Sequence, residues 1–228
     1  MLNIDRIRTA ELNAQPYAWA QIDRLFAAQD AEALALSFPR DHFKTVKGYG
    51  GEKDYEYEAR ALKPMGSDAI AHAEHLSEAW QALARDLGSP AYRAALSHLT
   101  GRDLGNAPME VNVFHYGPGA SLGAHPDLGD KVVTHILYFN ATWERADGGC
   151  LNILRSKDIN AVSAVIEPRV GNSAVLVRSD DSWHAVSPVV EGCSHSRRSM
   201  TVTFYRPGSL SSMWPENDPS PLHEYHHG

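Results

Sequence analysis

The sequence predicts an α+β fold: a jelly roll, or double-stranded β-helix, with an N-terminal helical layer packed on one sheet. Three observations carry that expectation. Up to residue 107 the apolar residues recur mostly at helical spacing. After Pro108 the texture switches to short β-rich runs separated by Gly, Pro, Asn and Asp. Those runs have no helices between them, which argues against a parallel α/β sheet and for a sandwich, barrel or jelly roll. At 228 residues and 43% hydrophobic composition the chain suits one domain. We divide it into a mainly helical layer (1–107), a jelly-roll core (108–207) and a C-terminal tail (208–228).

The elements follow in order. Pro16, with its fixed φ and missing donor, suits a helix start. Trp19, Ile22, Leu25, Phe26, Ala33, Leu34 and Phe38 then sit near helical period, with a break around Asp30, until Pro39 stops the run. Residues 40–63, charged and aromatic around Gly48-Tyr49-Gly50-Gly51, read as a long loop or weak hairpin able to cover a site. Ser67 and Asp68 are caps for a helix through Ile70, Leu76, Trp80, Leu83 and Leu87, ended by Gly88. Ser89-Pro90 opens another, through Tyr92, Leu96 and Leu99 to Gly101. Beyond Pro108, residues 109–116 alternate, with Val111 and Val113 on one face and Asn112, Phe114 and Tyr116 on the other. Further strand runs are 131–140, 149–154, 161–166, 173–177 and 200–205. The tail is loop-like, anchored by Trp214-Pro215, with a terminal His-rich end read as disordered.

Bulk properties narrow the function. Lys+Arg total 21 against Asp+Glu 28, a net charge of -7, so phosphate neutralisation gives no reason to expect a nucleic-acid partner. Two cysteines, Cys150 and Cys193, make a poor disulfide framework, and we read them as reduced thiols of a cytoplasmic protein. The N-terminus has no basic stretch followed by an apolar run, so no signal peptide is expected. No stretch is long and apolar enough to span a bilayer, so no membrane partner is expected either.

The chemistry-bearing pattern is His125-Pro126-Asp127, with His184 well downstream and Arg198 beyond it. Two imidazoles and one carboxylate can occupy one triangular face of a ferrous ion and leave the opposite face open. In a strand, residues i and i+2 point the same way, so His125 and Asp127 can aim at one ion. A lone H-x-D among 12 histidines is weak; in isolation it is a polar turn. Its order with His184 after a strand-like run, and with Arg198 in another, shifts the balance. A guanidinium offers the planar two-donor fork that a distal carboxylate needs.

This ordered set resembles the 2-oxoglutarate/Fe(II) dioxygenase superfamily, within its prolyl 4-hydroxylase-like group. The matching pieces are Tyr116-Gly117-Pro118-Gly119, His125-Pro126-Asp127, the strand Val133-Thr134-His135-Ile136-Leu137-Tyr138-Phe139-Asn140, Trp143 with Gly148-Gly149, Gly171-Asn172-Ser173, Trp183-His184-Ala185-Val186 and Arg198-Ser199-Met200-Thr201-Val202. They cover roughly residues 109–207 and are specific as a set. The resemblance implies that His125, Asp127 and His184 bind Fe(II). It implies that Arg198 holds the distal carboxylate of 2-oxoglutarate, with Tyr138 as a further donor. Tyr116 matches a position that lines the cosubstrate pocket, and a core aromatic with a wet hydroxyl is an equal reading. Related halogenases carry Gly or Ala where Asp127 stands, so hydroxylation is favoured over halogenation; desaturation or cyclisation would use the same triad. O₂ completes the cofactor set, with ascorbate as reductant in vitro.

The expected substrate is a small molecule, a free or lightly modified amino acid, since the 115–119 entry and the 211–215 tail resemble an amino-acid branch. Hydroxylation of a peptidyl residue and a cupin-like metal-binding sensor are the alternatives. Arg60, Asp130 and Trp214 are candidates for substrate contacts, though a solvated charge, a turn residue and a tail anchor are the blander readings of each. His135 reads as a packed core histidine and His195 as solvent-facing. A homodimer through the helical layer is compatible with the sequence, although packing on the sheet already explains its apolar stripe.

Overall fold

Pro108 marks the change of texture, but strands begin well before it. The computed structural model describes residues 1–48 and 55–225. Its helices are α1 (Ile4–Arg8), α2 (Ala28–Leu36), α3 (Glu78–Leu87) and α4 (Pro90–Thr100). Its strands are β1 (Trp19–Ile22), β2 (Lys44–Gly48), β3 (Tyr55–Lys63), β4 (Met109–Tyr116), β5 (Leu122–His125), β6 (Lys131–Tyr138), β7 (Leu151–Leu154), β8 (Val162–Ile166), β9 (Ser173–Val177), β10 (His184–Val186) and β11 (Arg197–Tyr205). The hydrogen-bonded order is β1-β9-β6-β11-β4-β3-β5-β10-β7-β8, with β2 on β3 and every pairing antiparallel. The path folds into a large sheet from β1 to β2 and a small one, β5-β10-β7-β8. They meet where β3 touches β5 at Tyr55 and Leu122. The result is the expected double-stranded β-helix.

The helical layer is real but narrower than expected. Residues 17–38 are not one helix: β1 pairs with β9 before α2 begins. Trp19 and Ile22 satisfy a strand pattern as well as a helical one, and a short apolar run cannot decide between them. Pro16 follows a cis peptide bond and precedes this strand instead of opening a helix. The 40–63 segment is a hairpin, β2 with β3, and β3 then pairs with β4, so the first 107 residues supply part of the sheet. Tyr49, Gly50 and Gly51 lie outside the described residues.

Ser67 does not cap α3. It closes a local turn onto the Ala69 amide, and Ser77 caps the helix by accepting from Trp80 N. α4 forms as its sequence dictates: Ser89 caps, Pro90 sits in the first turn and Gly101 ends it at φ +65°.

The helices cover one face of the large sheet. Trp80, Leu83, Leu87, Tyr92, Leu96 and Leu99 pack on Val111, Val113, Val133, Leu137, Met200 and Val202. Each fully buried large side chain contributes roughly 1.5–3 kcal/mol. A second cluster, including Trp19, Ile136, Tyr138 and Ile153, fills the space between the sheets. The tail is ordered through Tyr225. The His223 backbone pairs with Phe43, and the buried Tyr225 ring packs on Phe38, Phe43 and His115. The terminal 226–228 lie outside the described residues. Both cysteines are free thiols, and no helix among the described residues is long and apolar enough to cross a membrane.

Candidate active site

The two sheets bring three distant side chains together. His125 ends β5, His184 opens β10, and the antiparallel register places them directly opposite each other. Their rings stand 4.4 Å apart between centroids. Asp127 lies two residues past His125, beyond the strand end, so a turn and not a regular strand aims it. One ligand atom from each of the three residues falls within 4.8 Å of the others.

Each member is oriented from behind. His125 Nδ1 lies 2.8 Å from the Gly123 carbonyl and His184 Nδ1 lies 2.9 Å from the Ser182 carbonyl. A carbonyl can only accept, so both Nδ1 atoms carry the proton, which makes Nε2 the atom that would ligate a metal. Asp127 Oδ1 accepts from Lys131 Nζ at 2.6 Å and Oδ2 from Thr134 Oγ1 at 2.8 Å. Burial alone would raise the pKa of this carboxyl. Lys131, His184 and His125 outweigh it and hold the group well below the ordinary carboxylate range. Each oxygen keeps a lone pair beyond its hydrogen bond, so the carboxylate can still ligate. Two imidazoles and a hard oxygen, on one side of a cavity, suit a non-haem ferrous ion.

The triad lines a cavity of about 130 Å³ between the sheets. Asn112 and Tyr116 of β4 line it, with Arg197, Ser199 and Thr201 of β11, while Met213 of the tail and Tyr57 of the hairpin border it. Strand alternation decides which arginine enters. On β11 the even positions Met200, Val202 and Phe204 belong to the helix-side core. The odd positions Arg197, Ser199, Thr201, Thr203 and Tyr205 face the cavity.

Arg198 is therefore on the wrong side of the sheet for the role expected of it: its guanidinium lies over the Phe38 ring at 5.3 Å. The adjacent Arg197 is in the cavity and only 2% exposed. Its Nε donates to the Gly149 carbonyl at 2.7 Å and its Nη1 to Ser199 Oγ at 2.7 Å. The guanidinium carbon stands 4.9 Å from the Tyr116 ring and 5.3 Å from the Tyr138 ring. Burial pushes both tyrosine hydroxyls up to about 12, against a smaller opposing pull from Arg197, so both remain proton donors. The buried Tyr138 hydroxyl makes no hydrogen bond of good geometry, and Arg197 is the side chain that pulls on it.

Arg197 has no carboxylate partner among the described residues, and a buried cation without one is costly. The cavity end at Arg197 and Ser199, with the Tyr138 ring beside Arg197, thus fits an anionic oxygen ligand of the kind a keto-diacid provides. Gly149 holds this end in place. It follows Gly148 (φ +72°), where an added Cβ would meet the Pro188 carbonyl oxygen at 1.9 Å.

The remaining candidates separate. Arg60 is fully buried away from the cavity, donating to the Asp41 and Ala61 carbonyls, so it is neither a substrate contact nor a solvated charge. Asp130 does not line the cavity, and its carbonyl accepts from the Arg206 amide. Trp214 does not line the cavity itself but backs Asn112, which does, donating to its Oδ1 at 2.7 Å. His135 is a core histidine bonded to the Tyr92 hydroxyl at 2.8 Å, as expected. Asp41, His42 and His75 form a second ligand-like group, but Arg60 already sits on Asp41 and offsets its charge. Arg197, Lys131 and Thr134 were not foreseen. The apolar even positions of β11 were the available signal for Arg197, since they assign Arg198 to the core face.

Residues 111–205 match the family model described as the 2OG-Fe(II) oxygenase superfamily. No curated protein matches the chain. Among solved structures it is similar to a Pseudomonas putida prolyl-4-hydroxylase, with 22% identity, TM-score 0.58, and coverage of 89% of this chain and 97% of that one. It is also similar to a Trichoplax adhaerens prolyl hydroxylase in complex with a hypoxia inducible factor peptide fragment, with 16% identity, TM-score 0.54, and coverage of 90% and 87%. A third is SnoN, a non-heme alpha ketoglutarate dependent epimerase from nogalamycin biosynthesis, with 13% identity, TM-score 0.52, and coverage of 97% and 91%.

Proposed function

We propose that the protein is an enzyme of the 2OG-Fe(II) oxygenase class, whose family model matches residues 111–205, and that with Fe(II), 2-oxoglutarate and O₂ it hydroxylates an unactivated C–H bond of a small substrate, a free or modified amino acid. His125, Asp127 and His184 hold the iron. Arg197, with Ser199 and Tyr138, takes the distal carboxylate of 2-oxoglutarate, the role expected of Arg198. Tyr116 flanks the same end. Iron, 2-oxoglutarate and O₂ together supply the oxidising power. The protein orients its ligands through Gly123, Ser182, Lys131 and Thr134, and borders the cavity with Tyr57 and Met213. Those two side chains would help exclude water from the reacting centre once a small substrate is bound. Two unpaired thiols fit a reducing compartment such as the cytoplasm.

The single observation that carries this reading is a buried guanidinium with no protein anion in the same cavity as a facial His/Asp/His set. A second reading, hydroxylation of a peptidyl residue, draws on the prolyl hydroxylases among the structural neighbours. Succinate release from 2-oxoglutarate, with Fe(II) and ascorbate, tests the main one. Arg197→Ala should raise the KM for 2-oxoglutarate about 100-fold, in the range for losing a buried charge-assisted pair. Arg198→Ala should leave it within about twofold. The reverse pattern would overturn the assignment.

A further inference from the structure

The cavity has a second charged end that neither the triad nor Arg197 explains. Glu110 faces it from β4 and is 1% exposed. Its carboxylate accepts only from neutral donors: Asn112 Nδ2 at 3.1 Å and the Tyr205 hydroxyl at 3.3 Å on Oε2, and Ser211 Oγ on Oε1. Among the described residues it has no ion-pair partner.

Glu110 is also set in place before any ligand arrives. Trp214 Nε1 occupies Asn112 Oδ1, which turns the Asn112 amide nitrogen onto Glu110. A carboxylate buried without a cation is as expensive as a guanidinium buried without an anion. The cavity therefore carries opposite unpaired charges at its two ends. On β11, Arg197 stands opposite Tyr116, while Thr203 stands opposite Glu110. At about 3.3 Å per residue that run is about 20 Å, far beyond the reach of a five-carbon diacid seated on Arg197. Glu110 is left for the other reactant. Tyr205, which donates to Glu110, lines the same cavity as Asp127 and Thr134, so this end opens onto the space the metal ligands face.

We propose that Glu110 is a substrate subsite for an ammonium group, which makes the substrate an amine-bearing small molecule such as a free amino acid. The inference rests on the oxygenase reading and narrows it. Thr201 and Thr203 line the same cavity, and their hydroxyls would supply neutral hydrogen bonds. A purely structural Glu110, serving to hold Ser211 and the tail, would bind no ligand at all.

The test uses the full chain loaded with 2-oxoglutarate and Zn²⁺ in place of iron, titrated calorimetrically. The probes are the common L-amino acids, each matched with its N-acetyl and 2-hydroxy analogue, with succinate release by the Fe(II) protein in parallel. At least one amine should bind, and N-acetylation or replacement of the amine by hydroxyl should weaken it by at least about tenfold. Glu110→Gln should weaken the amine by at least about tenfold, the range for removing one partner of a desolvated charge pair. The same variant should leave the affinity for 2-oxoglutarate within about twofold, which also shows that it is folded. Glu110→Asp should recover part of the loss.

Equal amine binding by wild type and Glu110→Gln would overturn the proposal. So would equal binding of amine and N-acetyl analogue, or 2-oxoglutarate binding with no amine in the panel bound. Failure of the wild-type chain to bind 2-oxoglutarate would overturn the oxygenase reading itself.

Discussion

Asp127 spends both oxygens on neighbours, Lys131 and Thr134, while still presenting a carboxylate to the cavity. Outer partners of this kind fix the ligand and its basicity. Thr134→Val, nearly isosteric, should weaken Fe(II) binding about 10–100-fold and change metal-free stability by only about 1 kcal/mol. Competitive chelator titration and urea unfolding read the two effects separately. Asp127→Ala should abolish substrate hydroxylation in a folded chain, checked by product mass and circular dichroism. At this scale the residue types of the triad were legible because metal chemistry restricts them. Arg198 was misread because a pair of adjacent arginines hides a two-residue period. Only the apolar partners Met200, Val202 and Phe204 reveal which arginine faces inward. Lys131 and Thr134 were illegible, since nothing in a sequence marks a hydrogen bond made across a turn.

Among the elements, β6 does two jobs. Thr134, Ile136 and Tyr138 face between the sheets, and Val133, His135 and Leu137 face the helices. His135 is fully buried against Tyr92 and burial drops its pKa to about 3. In the unfolded chain it titrates near about 6.5. Between those values only the unfolded state takes up this proton. The His135 contribution is thus intact above about pH 6.5 and is lost as pH falls toward 3, by about 1.4 kcal/mol per pH unit. Urea unfolding at pH 7.5 and 5.0 should show that slope, and His135→Gln should flatten it. Elements with local signals, such as α4 with Ser89, Pro90 and Gly101, were legible in the sequence. β1 was not, and the β2–β3 segment was legible only as a loop or weak hairpin, because their partners β9 and β4 lie far along the chain and supply the hydrogen bonds that decide the state.

For the whole molecule, the tail is part of the structure. Tyr225 is buried between the helical layer and the hairpin, and its amide donates to the Arg40 carbonyl at 3.0 Å. Ser211, Met213 and Trp214 lie against the cavity wall on the same excursion. Tyr225→Ala should therefore cost about 3 kcal/mol in denaturant unfolding, the scale of a buried aromatic truncation, without changing metal affinity. A shift in metal affinity of tenfold or more would mean that the tail shapes the centre as well as the core.

Gly148 reaches further than its loop position implies. With the Pro188 carbonyl oxygen 1.9 Å from where a methyl would stand, any side chain there must push the 148–149 backbone away from the Pro188–Val189 segment that follows β10. The carbonyl that moves is the one seating Arg197 Nε. Gly148→Ala should then present as a cosubstrate-supply phenotype: adequate turnover in excess keto-acid and collapse when it is scarce. A mutational survey scored on protein yield would miss this lesion, while one scored at limiting 2-oxoglutarate would find it.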